Sequence, residues 1–414
     1  MTRALTVVTR SYPFPLTSEH SMPFPLYALA LAVFVMGTSE FMLAGLLPAI
    51  AHELDVPVGT AGLLTSAFAV GMVIGAPAMA AFARGWTPRR TLVACLALFA
   101  ACHAVGAVTS LFELLLVTRV LSALANAGFL AVALRTVALL VPRERTGRAL
   151  AVLLSGTTVA TIVGVPVGAI LGTGLSWRAT FAAVALLCLP ALLGILHGVP
   201  PTIRGTESDP APAPLPRKEP ALRAELALLR TPRLALAMTV AALVNAGTFA
   251  VFTFLAPIVT EVAGLPDAAV PLALVLFGIG SFLGVTIAGR FADRHAGALL
   301  TVGGPLLLGG WIVLAAVATQ PIPLLFLVFV QGMALFGVGS TLITRVLYAA
   351  SGAPTMGGSY ATAALNLGAV IGPASGAWTL ASGAGPLSPV TLAATLTMAA
   401  LLLALATRRW RPVG

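Results

Sequence analysis

Apolar runs of roughly 20 residues recur about twelve times along this chain, and a helix needs about that length to cross a bilayer. The runs cover approximately 26–48, 61–83, 91–109, 114–138, 149–172, 179–198, 234–259, 269–291, 298–319, 321–344, 355–380 and 387–407. The polar breaks between them alternate in kind. Every second one is basic: Arg84, Arg89 and Arg90; Arg143, Arg145 and Arg148; the stretch from Arg204 to Arg233; Arg290 and Arg294; Arg345; and the tail with Arg408, Arg409 and Arg411. The intervening breaks hold His52, Glu53 and Asp55, then Glu113, Glu261 and Asp267, Gln320, and Ser382 to Ser388; among these gaps only the one with Arg178 is positive. Loops kept in the cytoplasm accumulate Lys and Arg. The pattern predicts an all-α polytopic protein of the cytoplasmic membrane, with twelve spans and both termini inside.

The longest break, 199–232, is rich in proline and arginine and reads as an extended cytoplasmic linker, with a short amphipathic stretch at Leu222 to Leu229. It divides the chain into six spans (22–198) and six spans (233–414). Residues 1–21 lack the apolar core of a signal peptide, and we expect a disordered extension with Met22 as the natural start. The halves repeat one another. Phe68, Gly71 and Gly75 in span 2 have the same spacing as Phe277, Gly280 and Gly284 in span 8. Gly156, Ala160, Gly164, Gly168 and Gly172 recur every fourth residue in span 5, as do Ala364, Gly368, Gly372 and Gly376 in span 11. Such stripes let helix backbones approach closely in lipid, and internal repeats around a midplane site are the architecture of alternating-access transporters.

Composition narrows the function. Of 414 residues, 59% are hydrophobic and only 9% charged, with a mean hydropathy of +1.02, so no sizeable soluble domain fits. The net charge of +10 is explained by arginines beside anionic lipid headgroups, without a nucleic-acid partner. Lys218 is the one lysine and lies in the linker, so no Walker A motif exists to bind ATP. Cys95, Cys102 and Cys188 sit unpaired in apolar runs, the histidines lack ligand spacing, and no nucleophile elbow occurs. No enzyme, metal site or cofactor is expected.

Four motifs resemble the major facilitator superfamily, in its twelve-span drug:proton antiporter branch. Gly289-Arg290-Phe-Ala-Asp293-Arg294 is similar to that family's loop signature, and Arg119 to Gly128 to its arginine-bearing fourth span. Gly164-Val-Pro166-Val-Gly168 is similar to the exporter motif of span 5, and Trp177-Arg178-Ala-Thr-Phe181 to the usual start of span 6. Met22 to Tyr27, Gly37-Thr-Ser-Glu40-Phe, Gly45-Leu-Leu-Pro48, Leu63 to Gly71 and Arg119 to Ala133 resemble the actinobacterial chloramphenicol-resistance exporters. Sugar and purine exporters of the same branch share the Glu-Phe pair. The resemblance implies two pseudo-symmetric six-helix bundles around a cavity lined by spans 1, 4, 7 and 10. It also implies exchange of a small molecule for protons, and we expect a monomer. The first-half copy of the loop signature departs from the pattern: Ala80 and Arg84 stand at the positions equivalent to Gly289 and Asp293, so a charge relay there would rest on the second copy.

Glu40 is the carboxylate deepest inside an apolar run, where an ionisable group costs about 2.5–3.5 kcal/mol and usually faces a cavity. It is the candidate proton carrier, with Arg119 as a candidate partner; structural hydrogen bonding is the alternative for both. Arg119 and Asn126 share a helix face. Asn245, Phe249 and Phe252 form a stripe suited to a flat aromatic ligand, and Gln331 is a weaker candidate. Met36, Thr38 and Phe129 complete the expected lining, whereas His103 reads as a helix-contact residue. The chain has few mid-span amides, and a hydroxyl-rich sugar left unpaired loses about 1–3 kcal/mol per group. The lining therefore favours a phenicol over sugars or nucleobases, with a non-transporting membrane receptor or assembly factor as the other class.

Overall fold

The computed structural model describes residues 22–82, 86–142, 145–200, 225, 227–353 and 356–409, and their side chains except at 76–82, 138, 291–299 and 407–409. Predicted span 1 is a rod interrupted at Met42, made of α1 (Phe24–Phe41) and α2 (Leu43–Glu53). There follow α3 (Val58–Phe82), α4 (Pro88–Val108) and α5 (Phe112–Leu140). Span 5 comprises α6 (Thr146–Val159), a π-helical turn (Ala160–Gly164) and α7 (Val165–Gly174), and α8 (Trp177–Gly198) closes the first half. The second half contains α9 (Pro232–Thr253), α10 (Val270–Val317), α11 (Pro321–Ala349), α12 (Gly357–Ala381) and α13 (Ser388–Arg409). Eleven described segments are long and apolar enough to cross a membrane. The twelfth, α12, carries Gly, Ala, Ser and Thr where it packs between α9 and α3.

Local chemistry explains the helix boundaries. Thr87 caps α4 by accepting from the Arg90 amide at 3.4 Å, and Pro88 fills the first turn, where its missing N–H costs nothing. Ser176 caps α8 through the Ala179 amide at 3.2 Å. The π turn in span 5 sits just before Pro166, whose ring supplies no hydrogen to the preceding turn.

The expected break between spans 8 and 9 is present as a reversal of the chain. Helical backbone runs through residues 270–317, but it holds two apolar spans, Asp267–Arg290 and Leu300–Val317. Gly280 and Gly284 lie against Phe329 and Met333, running parallel to α11, whereas Gly303 and Gly310 lie against Val338 and Gln331, running antiparallel.

The repeated small residues pack equivalent helix pairs. A Cβ on Gly71 or Gly75 of α3 would come within 2.7 Å of Ala123 or Ala127 of α5. Gly280 and Gly284 of α10 meet α11 in the same manner, a Cβ on Gly284 falling 2.9 Å from the Met333 carbonyl carbon. The span 5 stripe packs on span 1, where a Cβ on Gly156 would fall 2.9 Å from the Phe34 nitrogen and one on Gly164 would meet Thr38. The α12 stripe packs on α9, where a Cβ on Gly368 or Gly372 would fall 2.9 or 3.0 Å from the Ala246 or Ala250 nitrogen. Two apolar cores form, one centred in each half and each taking a few residues from the other, such as Phe254 and Ala377 in the first and Ala44 and Ala169 in the second.

Glu53, Thr109 and Trp177 meet at one end of the bundle, and the ends of spans bearing Arg89, Arg90, Arg145, Arg148, Arg230 and Arg290 lie at the other. The halves join from mid-depth to the Glu53 end. There Gly59 meets Ala377, Gly62 meets the Phe254 ring, Gly278 meets Thr161, and Ser66 Oγ donates to the Val370 carbonyl at 2.8 Å. At the arginine end, the last part of the linker docks on the start of α12. The buried Glu225 carboxylate accepts from the Met356 amide at 2.9 Å, and the Tyr360 hydroxyl donates to the Glu225 carbonyl at 2.8 Å. The rest of the linker expectation and the N-terminal extension lie outside the described residues.

Candidate functional site

Glu40 lies near the middle of the rod formed by α1 and α2. Its carboxylate is partly accessible and makes no hydrogen bond or ion pair to a described residue. Beside it, Phe41 reaches across to the second half, with ring centroids 6.1 Å from Phe249 and 5.9 Å from Phe252. The rings continue through Phe277, 4.8 Å from Phe252, to Phe336, 6.0 Å beyond. Five aromatic rings from α1, α9, α10 and α11 thus form one wall where the halves meet, within a residue of the free carboxylate. Phe41, Phe277 and Phe336 were not in the predicted lining. Phe41 was legible only as part of the Glu-Phe pair, and the other two had no polar neighbour to single them out.

Arg119 makes no ion pair or hydrogen bond with Glu40, although the two lie close enough to feel one another's charge. Its guanidinium donates to Ser39 Oγ at 2.8 Å and to the Ser39 carbonyl at 3.0 Å, and it lies 4.4 Å over the Phe68 ring. Its Nε is buried without a partner. Ser39 Oγ is also 2.6 Å from His103 Nε2, and His103 Nδ1 is 2.8 Å from the Phe99 carbonyl. A carbonyl only accepts and a guanidinium only donates, so His103 Nδ1 carries a proton, and among the described residues Nε2 is the one acceptor facing the Ser39 hydroxyl. His103 is neutral, donates from Nδ1, and accepts the Ser39 hydroxyl proton at Nε2; the Ser39 oxygen then accepts from Arg119. His103 packs 4.2 Å from the Phe99 ring and 5.6 Å from the Phe181 ring. Ser39 was missed because one serine in an apolar run carries no sequence signal.

The other predicted residues fall into three groups. Asn126 is 6% exposed and its amide makes no hydrogen bond to a described residue, leaving it available to a ligand. Asn245 and Gln331 are partly committed: Asn245 Nδ2 donates to the Leu365 carbonyl at 2.6 Å, and Gln331 Nε2 to the Leu307 carbonyl at 3.2 Å. Gln331 Oε1 and Trp311 Nε1 lack partners, and both residues line a water-sized void with Phe252 and Phe277. Met36 and Phe129 are a correction. Both are at most 1% exposed inside the first-half core, so neither side chain reaches a ligand here. Thr38 is corrected likewise, because its hydroxyl donates to the Phe34 carbonyl at 2.8 Å while the residue packs on Gly164.

Among the motif residues, Pro166 and Gly168 are buried in α7, with Gly168 accepting from the Thr180 hydroxyl at 2.8 Å. Gly376 faces the Phe254 ring, which a Cβ there would approach to 2.8 Å. Gly289 and Arg290 sit on α10, Arg290 being exposed, while the side chains of Asp293 and Arg294 lie outside the described residues. Arg178, the one cation in the non-basic breaks, is neutralised. Its Nε lies 2.7 Å from Glu53 Oε1, it donates to the Thr109 carbonyl, and Trp177 Nε1 donates to Glu53 Oε2 at 2.5 Å. A larger groove of about 680 Å³ opens at the same end between α3 and α12, lined by Val58, Thr60, Glu261 and Trp378.

Comparison with known proteins agrees with this architecture. Residues 29–373 match the family model described as Major Facilitator Superfamily. A chloramphenicol resistance protein of Streptomyces lividans is 60% identical over 383 residues, covering 92% of this chain and 96% of that protein. The inner membrane transport protein YdhP of Escherichia coli K12 is 31% identical, covering 94% of this chain and 97% of that protein. Among solved structures, a nucleoside transporter, NupG, superposes with a TM-score of 0.72 at 13% identity, over 94% of this chain and all of its own. A bacterial Spinster homologue in an inward-facing, occupied conformation superposes with a TM-score of 0.69 at 18% identity, over 95% of this chain. With a family match across most of its length and a 60% identical relative covering 92% of the chain, this membrane protein of twelve helical spans belongs to the Major Facilitator Superfamily.

Proposed function

We propose that this protein exports a phenicol drug, chloramphenicol first, across the cytoplasmic membrane in exchange for protons. The observation that carries the reading is the unpaired Glu40 carboxylate at mid-depth, one residue from an aromatic wall shared by the two halves. A neutral drug with a flat nitrophenyl end suits rings at these spacings, and its hydroxyl and amide groups suit Asn126, Asn245 and Gln331. The name of the 60% identical relative points to the same drug. Glu40 acts as the proton carrier, with Arg119 as the cation that responds to its charge.

The arginine end is the cytoplasmic end, both termini included, by the bias of basic residues toward that face. The junctions from mid-depth to the Glu53 end then lie on the outer side, where they would have to part for drug to leave. One proton entering through 100 mV supplies about 2.3 kcal/mol. At about 1.4 kcal/mol per tenfold, that sustains a drug gradient of about 40-fold.

The test is accumulation of labelled chloramphenicol in an exporter-deficient host. Expression should lower it, a protonophore should restore it, and Glu40→Gln should abolish the gradient-driven component while the protein still reaches the membrane. Normal efflux by Glu40→Gln would remove Glu40 from the mechanism. Recovery of acetylated drug would show that resistance has a different cause.

A further inference from the structure

We propose that His103 is a positioning residue for proton coupling: through Ser39 it holds Arg119 away from Glu40, leaving that carboxylate free to accept a proton. The inference rests on the reading of Glu40 as proton carrier. It adds two residues, Ser39 and His103, and a reason why Glu40 is unpaired.

The geometry is specific. A guanidinium buried to 1% exposure, with a carboxylate in the neighbouring residue of α1, would ordinarily form an ion pair with it. Here both terminal nitrogens of Arg119 are spent on Ser39 instead, and Phe68 covers the guanidinium face. A serine hydroxyl on a helix commonly turns its proton back onto the carbonyl four residues earlier, as Thr38 does with Phe34. Ser39 does not, because His103 Nε2 offers an acceptor 2.6 Å away. That draws the hydroxyl proton toward α4 and presents the oxygen lone pairs to Arg119. His103 can serve as acceptor only as the Nδ1–H tautomer, and the Phe99 carbonyl at 2.8 Å selects that tautomer. The chain of contacts thus links the backbone of α4 to the side chain of α5 through one hydroxyl of α1.

The titratable groups facing the cluster are Glu40 on α1, Cys102 and His103 on α4, and Arg119 on α5. The remaining walls are Phe68 from α3 and Phe181 from α8. No second carboxylate competes for Arg119 among these groups. Once Ser39 lets go, Glu40 is the acceptor left to it, and a proton must then displace a cation in order to bind.

The experiment uses the full chain in proteoliposomes, with labelled chloramphenicol and an imposed proton gradient, and reads exchange rate against pH. In His103→Leu and Ser39→Ala, half-maximal exchange should need about tenfold more protons than in the native protein, the smaller end of what an adjacent cation does to a carboxylate. His103→Gln, which puts an amide oxygen near the Nε2 position, should restore the native profile. A merely structural role would alter stability or maximal rate but leave the pH midpoint in place. Native midpoints in both His103→Leu and Ser39→Ala would overturn the proposal. So would a His103→Gln protein that melts like the native one yet keeps the shifted profile. If His103→Leu fails to fold, Ser39→Ala alone decides, since it leaves the His103 ring in place. Glu40→Gln run in parallel separates the two readings: if it still exchanges normally, Glu40 is not the carrier; if it is uncoupled and the midpoints stay native, only the role of His103 falls.

Discussion

An amide with no protein partner is a rare thing in a membrane bundle, because nothing in hydrocarbon compensates it. Asn126 has none among the described residues, whereas Asn245 has its nitrogen committed to the Leu365 carbonyl. Asn126→Ala should therefore weaken drug binding more than Asn245→Ala. We expect a loss of about 1 kcal/mol, the usual worth of one hydrogen bond, or about a fivefold rise in the concentration for half-maximal transport. Equal effects, measured in the same vesicles, would argue that the amides serve helix packing. Glu40 was legible in the sequence because a carboxylate in an apolar run has no cheap explanation. Ser39 and His103 were not, since their significance is a pair of distances between helices 64 residues apart in the chain.

Helices in lipid gain little from apolar burial against one another, so close backbone approach is what holds them. That makes the glycines of α3 and α12 sensitive. Gly75→Leu, forced against Leu124 and Ala127, should cost about 1–3 kcal/mol and lower the melting temperature of the detergent-solubilised protein. Gly309→Ala, with nothing within 4 Å, should leave it unchanged. Four-residue spacing identified the stripes correctly, and the repeat between halves anticipated that equivalent helix pairs would use them. The break after span 8, expected from its glycine and charges, is where the chain reverses, with both of its arms packed on α11.

The two halves touch along one end only in part, and those contacts define a conformational state. A Cβ on Gly59 would lie 3.4 Å from the Ala377 Cα, close enough for a disulfide between cysteines at the two positions. In the double variant Gly59→Cys/Ala377→Cys, oxidation should stop efflux and reduction should restore it. Unimpeded transport by the crosslinked protein would mean that this end does not open during the cycle. Topology is checked separately. Single cysteines replacing Arg90 or Arg145 should react with an impermeant reagent only from the cytoplasmic face, and one replacing Asp55 only from outside.

Span number, the alternation of charge between the loops, the division into two repeats and the isolation of Glu40 all follow from residue type along the chain. Each depends on transfer from water to lipid or on helical periodicity, which are local properties. The pairing of Arg119 with Ser39 rather than Glu40, the burial of Met36 and Phe129, and the closure of one end depend on distances between helices far apart in sequence. Those were decided only when the small-residue stripes brought specific backbones into contact and left the remaining polar groups to find partners in the space that resulted.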